Sequence, residues 1–435
     1  MNRLLSNIFT KASNLKSRAF FQDSFWTFST KAITMAVQIV YFVAVARFLG
    51  SEDYGLFEGT KAIWAIVFPF ISVGMGDILI QNVSRDSSEF SKYWGGTLLV
   101  FWITIGIALI TVFPLITIIL PTVPPLFILL ILLADIVGLK LCGLGQMAFV
   151  ANHQIKKGAQ YGMIYSFTKL IAALCLPFFP EDYRLLGWGI LYCVGSIVPA
   201  VVILALVQKK FGKPEFRLSS ISINNIKQGF FFSLSSSASG VSAQLDRTML
   251  IGLANPVAAG IYSAGYRFID MSKIPIFSIQ GASYARFFKY GESGIKGTVS
   301  FAQKLLPLIL AYSGVALIAL LLLSPFVPRL LGEEFAEASS VVIWLAPIHL
   351  LYGLEYLASD SLTGAGFQGT RSYVQVAAAF LNVGLNLYLI PIYSWRGAIW
   401  ATLISESLKT VLLWIIIVPI YKQQSKDYSN NYRGD

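Results

Sequence analysis

Long unbroken apolar stretches recur along this chain, among them TLLVFWITIGIALITVF (97–113) and VALIALLLLSPFV (315–327), and they bound its fold before any motif is read. A helix needs about 20 mainly apolar residues to cross a bilayer. Because lipid offers no hydrogen bonds to the backbone, only helices and closed barrels span it. The runs are continuous rather than alternating, which argues against barrel strands. Only 13% of the 435 residues are charged, against about 25% in soluble domains. With a mean hydropathy of +0.67, such a chain is neither a soluble enzyme nor a disordered segment. The composition predicts an all-α polytopic membrane protein.

Segments of spanning length fall at 25–46, 57–80, 95–119, 123–149, 159–178, 185–207, 229–250, 257–280, 302–323, 338–359, 373–392 and 396–420, about twelve transmembrane helices. The seventh and eighth are too polar to face lipid all round and are expected to face a bundle interior or a hydrated cavity. With both termini cytoplasmic, 21 Lys and Arg collect on one side, against Arg47, Arg184, Arg329 and Arg396 on the other. That asymmetry follows the positive-inside rule. It assigns the net charge of +11 to cytoplasmic loops rather than to nucleic-acid binding. The first apolar run is too long for a signal peptide and reads as a retained span.

The predicted organisation is an N-terminal amphipathic segment (1–24), a six-helix bundle (25–207), a basic cytoplasmic linker (208–228), a second six-helix bundle (229–420) and a polar cytoplasmic tail (421–435). A shift of 205 residues lays Gly55-Leu56-Phe57 over Gly260-Ile261-Tyr262, and Pro69 near Pro275. This weak repeat suits two equivalent lobes with a site between them.

No catalytic constellation, phosphate loop or metal-ligand spacing is present, and Cys142, Cys175 and Cys193 lie unpaired in apolar segments. The chain therefore reads as a non-enzyme without cofactor or metal. Its informative residues are ionisable groups at membrane depth, each costing a few kcal/mol unless it faces an interior or a partner. The cations are Lys31, Lys140, Lys169, Arg247, Arg267, Lys273 and Lys409. The anions include Asp77, Asp135, Asp246, Asp270, Glu355 and Glu406. Arg267–Asp270, Asp270–Lys273 and Glu406–Lys409 have the i,i+3 spacing of neutralising pairs; Lys169 has no acidic neighbour on its own helix. Two readings stay open: a hydrated cationic cavity for an anion such as a pyrophosphate, or ion pairs that shape the bundle. Prolines within spans (Pro69, Pro114, Pro177, Pro199, Pro275, Pro307, Pro347) are candidate hinges.

Three stretches carry a family resemblance. ARFLGSEDYGLFE (46–58) resembles the first interhelical loop of polysaccharide-export proteins of the multidrug/oligosaccharidyl-lipid/polysaccharide exporter superfamily. QLDRTMLIGLANPVAAGIYSAGYRF (244–268) is similar to its seventh-helix aspartate and following turn, and LNVGLNLYLIPIYSWRGAIWATLISE (381–406) to its last helical hairpin. Where the family hairpin reads Pro-x-Tyr-Gly, this chain has Ser394 after Tyr393, a change expected to alter loop shape.

The resemblance implies two six-helix bundles forming a V-shaped cavity, and an O-antigen-type flippase of the bacterial inner membrane. Its substrate would be an undecaprenyl-pyrophosphate-linked oligosaccharide with its prenyl tail among the membrane lipids. A polysaccharide polymerase and a chain-length regulator would be its partners. On that reading Lys31, Lys140, Lys169, Arg247, Arg267 and Lys273, with Arg47 at the periplasmic mouth, attract the pyrophosphate. Tyr266 stacks on sugar, and Asp77, Asp246 and Glu355 couple transport to protons or sodium. The rivals are a cation-coupled multidrug antiporter of the same fold and a non-transporting scaffold for glycosyltransferases.

Overall fold

The computed structural model describes the backbone of residues 2–217 and 244–431, with 226, 227, 230 and 233 between them. It describes the side chains of 33–424 within those bounds, except at 65, 66, 155 and 285. The amphipathic face expected in 1–24, the side chain of Lys31 and most of the seventh span lie outside the described residues.

Those described are mainly helical, with no strand. In chain order they form α1 (Asn2–Val67), α2 (Met75–Val83), α3 (Phe90–Ile119), α4 (Pro125–Leu133), α5 (Lys140–Ala151), α6 (Ile155–Leu174) and α7 (Arg184–Phe211). A π-turn, Ala134–Leu139, joins α4 to α5. Then come α8, described over 244–253, α9 (Pro256–Ser272), α10 (Ile274–Gly291), α11 (Gly294–Leu323), α12 (Val327–Leu331), α13 (Ala336–Leu345), α14 (Ile348–Gly364), α15 (Gln368–Tyr393) and α16 (Trp395–Asn431). The polar tail expected after residue 420 continues α16.

Among the described residues, eight helices are long and apolar enough to cross a membrane. A ninth appears if Glu333–Leu345 and Ile348–Gly364, bent by 43°, count as one span. The other three expected spans have separate fates. The second unwinds at 68–74, between α1 and α2. The eighth is divided at Lys273 into helices of 17 and 18 residues, and the seventh is mostly undescribed. Outward faces carry bare aliphatic and aromatic side chains, such as Ile110 at 77% exposure, Leu322 at 67% and Phe380 at 75%. Faces of that kind belong in lipid, since in water they would aggregate. The chain is an all-α, multi-pass membrane protein.

Proline alone does not decide where these helices break. Pro69, Pro177, Pro275 and Pro347 sit at interruptions, whereas Pro114, Pro199 and Pro307 lie inside unbroken helices. The breaks at Phe68 and Lys273 are 205 residues apart, so the sequence repeat reappears as a shared interruption of each half's second span. Within the membrane a freed carbonyl must find a donor; that of Pro69 accepts from the Ser233 hydroxyl at 2.8 Å.

The chain forms two compact units, Met1–Leu49 with Trp64–Ser237, and Gly50–Ile63 with Ala238–Asp435. Unit one packs around Trp64, Trp94, Phe101, Phe127, Phe149 and Trp188, all buried. Past α7 the chain is extended, and the Glu215 amide donates to the Ser91 carbonyl at 2.9 Å. Unit two holds cores around Phe287, Phe301 and Leu357, and around Val299, Leu362 and Leu413. It also takes in residues 50–63, which start where Gly50 (φ 76°, ψ 176°) kinks α1. That segment lies so close on α9 that a Cβ on Gly55 would stand 1.9 Å from the Pro256 carbonyl oxygen. One on Gly260 would stand 1.8 Å from that of Ser51. The two glycines that the 205-residue shift superimposes therefore meet in space. Ser394, which replaces the hairpin glycine, takes φ 54° and ψ −136°, a conformation that L side chains rarely adopt.

Candidate functional site

In unit one the α6 residue Lys169 is held by aromatic rings. Its ammonium lies 3.9 Å from the ring centroid of Tyr192, 5.1 Å from that of Tyr165 and 5.5 Å from that of Tyr41. The π face of each ring carries negative potential, which suits an ammonium at membrane depth. Tyr192 also donates its hydroxyl to the buried Asp135 carboxylate at 2.7 Å. A cation, a polarised ring and an anion thus stand in series. The π-turn brings Asp135 to α7, and such irregular turns occur often at functional sites.

Lys140, at the start of α5, donates to the Phe68 carbonyl at 3.4 Å and lies 4.9 Å from the Phe68 ring centroid. It shares a cavity of about 250 Å³ with Asp77 of α2. Asp77 and Arg47 are exposed, and neither has an ion-pair partner among the described residues.

Unit two gathers most of its predicted residues into one charge network. Arg247 of α8, 4% exposed, donates to Asp270 of α9 at 3.0 Å and faces Glu58 at 3.6 Å. Glu58 also pairs with Lys61 at 3.0 Å. Asp270 accepts from Lys273 at 3.2 Å, and Lys273 donates to the hydroxyls of Tyr266 at 3.3 Å and Tyr352 at 3.2 Å. Tyr266, expected to stack on sugar, is 4% exposed. Its ring carries Arg247 at 5.3 Å and Lys273 at 4.7 Å. Buried charges are tolerated when paired and hydrogen-bonded, and here two carboxylates answer Arg247 and Lys273. Arg267 is different. It is partly exposed and forms no ion pair or hydrogen bond among the described residues.

Asp246 and Arg247 are adjacent in sequence and diverge in space. The Asp246 carboxylate, 3% exposed, accepts from Tyr262 at 2.8 Å, Thr402 at 3.0 Å and Asn386 at 2.9 Å. Asn386 in turn donates to Asn382 at 3.0 Å, and its own buried side-chain oxygen has no donor. A carboxylate with only neutral partners, beside a spare amide oxygen, can take up a proton or a hard cation. Glu355 is 3% exposed and accepts from Ser359 at 2.7 Å. Lys409 pairs with Glu406 at 2.7 Å.

Sequence reasoning missed Glu58, Tyr192, Tyr352, Tyr262 and Thr402. Glu58 was legible as an i,i+3 partner of Lys61 in an apolar span; the tyrosines had no such signal among 20.

Three solved structures illustrate the fold. A multidrug resistance MATE family transporter of the MOP superfamily, inward-facing, superposes with a TM-score of 0.73 at 13% identity, covering 89% of this chain and 96% of that one. The lipid II flippase MurJ, in an inward closed conformation, gives 0.65 at 15% identity, over 90% and 87%. A MOP superfamily transporter from Pyrococcus furiosus gives 0.56 at 16% identity, over 90% and 95%. No curated protein matches the chain significantly in sequence. A family model described as polysaccharide biosynthesis protein matches residues 20–290, and the chain belongs to that family.

Proposed function

We propose that this protein is a flippase that moves undecaprenyl-pyrophosphate-linked oligosaccharide repeat units across the bacterial inner membrane, by alternating access, for O-antigen or another surface polysaccharide. The observation that carries the proposal is Arg267, a partly exposed guanidinium with no carboxylate at ion-pair distance among the described residues, in a family of polysaccharide biosynthesis. Lys169, which lies against three tyrosine rings, and Lys140, which donates to a carbonyl, extend the same argument. A fixed cation in a low-dielectric vestibule attracts anions. A polar path spares the sugar hydroxyls a desolvation cost of several kcal/mol each. Arg247, Lys273 and Tyr266 form the neighbouring charge network in this scheme, and Lys31 and Arg47 act as further attractors.

Asp246 is the proposed coupling residue, through a proton or a sodium ion, with Asp77 and Glu355 as further candidates. Both termini face the cytoplasm, and a periplasmic polymerase with a chain-length regulator takes the product. The drug-antiporter alternative draws on the MATE-like fold, but that reading expects an acidic interior with few cations.

The test is deletion of the gene followed by analysis of lipid-linked intermediates. Accumulation of the undecaprenyl-pyrophosphate oligosaccharide with loss of surface polymer is the expected result. Unchanged polymer with reduced drug tolerance favours the antiporter. In complementation, Arg267→Ala is expected to cut surface polymer at least tenfold at normal protein level, and full polymer from that variant overturns the cationic-site argument.

A further inference from the structure

Unit one interrupts its second span at a depth where lipid forbids bare backbone. Ser72, Val73 and Gly74 have φ of 68°, 44° and 64°, three consecutive left-handed residues ahead of α2. Such irregular backbone survives in a membrane only inside protein or along a hydrated cavity, and this one borders the 250 Å³ cavity of Lys140 and Asp77.

Four residues of its lining carry a donor. Ser72 lines the cavity at 1% exposure, and its hydroxyl has no hydrogen-bond partner among the described residues. The amides of Gly74 and Gly76 likewise make no hydrogen bond among the described residues, because the turn and the start of α2 are closed by those of Met75, Asp77 and Ile78. Lys140 supplies the fourth, and the α2 N-terminus adds its positive dipole end. The Asp77 carboxylate is the one ionic acceptor on the lining.

We propose that this break is a phosphate-ester site. An oxyanion accepts from the Ser72 hydroxyl, the Gly74 and Gly76 amides and the Lys140 ammonium, while a hydroxyl next to the phosphate donates to Asp77. The cavity is smaller than the roughly 300 Å³ at which drug-sized pockets begin. It therefore takes a phosphate and its first substituents, not a whole oligosaccharide. The phosphate of a lipid-linked sugar and free phosphate share this chemistry; assigning the site to the lipid rests on the flippase reading, whereas the site itself does not.

The experiment uses the full chain in maltoside detergent, which carries no phosphate, and titrates farnesyl phosphate and inorganic phosphate by ³¹P NMR. Saturable binding of farnesyl phosphate is expected, at least fivefold weaker in Ser72→Ala and at least tenfold weaker in Lys140→Gln. Binding of farnesyl phosphate, which has no hydroxyl beside its phosphate to donate to Asp77, is expected to tighten in Asp77→Asn, where a repelling charge is gone. Ser72→Ala deletes only an unpartnered hydroxyl, so its melting temperature should equal or exceed that of the parent, which separates lost binding from lost fold. Competition by inorganic phosphate at equal strength identifies free phosphate as the ligand; binding of the ester alone identifies the lipid. The proposal is overturned if neither probe binds, if Ser72→Ala and Lys140→Gln bind like the parent, or if Asp77→Asn abolishes binding as for a cation site. No phosphate binding by the parent chain, with polymer lost on gene deletion, sinks this site and leaves the flippase reading standing; saturable binding by the parent, with polymer unchanged on deletion, does the reverse.

Discussion

A tyrosine that donates its hydroxyl to a carboxylate gains electron density in its ring, and Lys169 lies 3.9 Å from such a ring. The cation–π contact is worth about 2 kcal/mol when desolvated, so Tyr192 couples two opposite charges that never touch. Tyr192→Phe keeps the ring and strands Asp135, which is 5% exposed. Thermal unfolding in detergent should show a loss of about 1–3 kcal/mol. Adding Asp135→Leu should recover most of it, because removing both polar partners together is nearly neutral; no recovery would place the role of Tyr192 elsewhere. Both charges were legible in the sequence, since an ionised group in an apolar run has few explanations. Their connection was not, because it passes through an aromatic residue type too common here to single out. Glu58 teaches the converse. It stood in plain view beside Lys61, but its second partner, Arg247, is 189 residues away.

Elements were legible where hydropathy is continuous and illegible where helices break. Of the prolines read as hinges, those at 69, 177, 275 and 347 mark interruptions and those at 114, 199 and 307 do not. Neighbouring donors, not proline itself, settle whether a freed carbonyl forces the helix open. The 205-residue repeat was faint in sequence because it is preserved in backbone geometry, in paired breaks and in the Gly55–Gly260 crossing, rather than in side chains. Gly260→Ala would place a methyl 1.8 Å from the Ser51 oxygen, so segment 50–63 must move; overpacking of this kind costs about 1–3 kcal/mol. A melting temperature equal to the parent's would show that the crossing is looser than described. Ser394→Gly should act in the opposite direction. At φ 54° and ψ −136° a side chain is strained, and glycine should raise stability by about 1 kcal/mol in the same assay.

For the molecule as a whole, charge asymmetry predicts orientation. With Cys142, Cys175 and Cys193 replaced, a single cysteine in place of Lys213 should react with an impermeant thiol reagent only from the cytoplasmic side. One in place of Arg329 should react only from the other; both are exposed. Labelling of both from one side would overturn the orientation. The class of the molecule was readable from composition alone, because only the bilayer solvates such surfaces. The division into units was not readable as a simple midpoint, since residues 50–63 of the first half pack with the second. That exchange bears on how the gene tolerates fission. A cut in the linker would release an N-terminal polypeptide with 50–63 stripped of its packing, and a C-terminal one with the α9 groove around Gly260 uncovered. The first product would carry the piece that the second lacks, so the halves are built for complementation in trans, like a split reporter, rather than for life as free-standing modules.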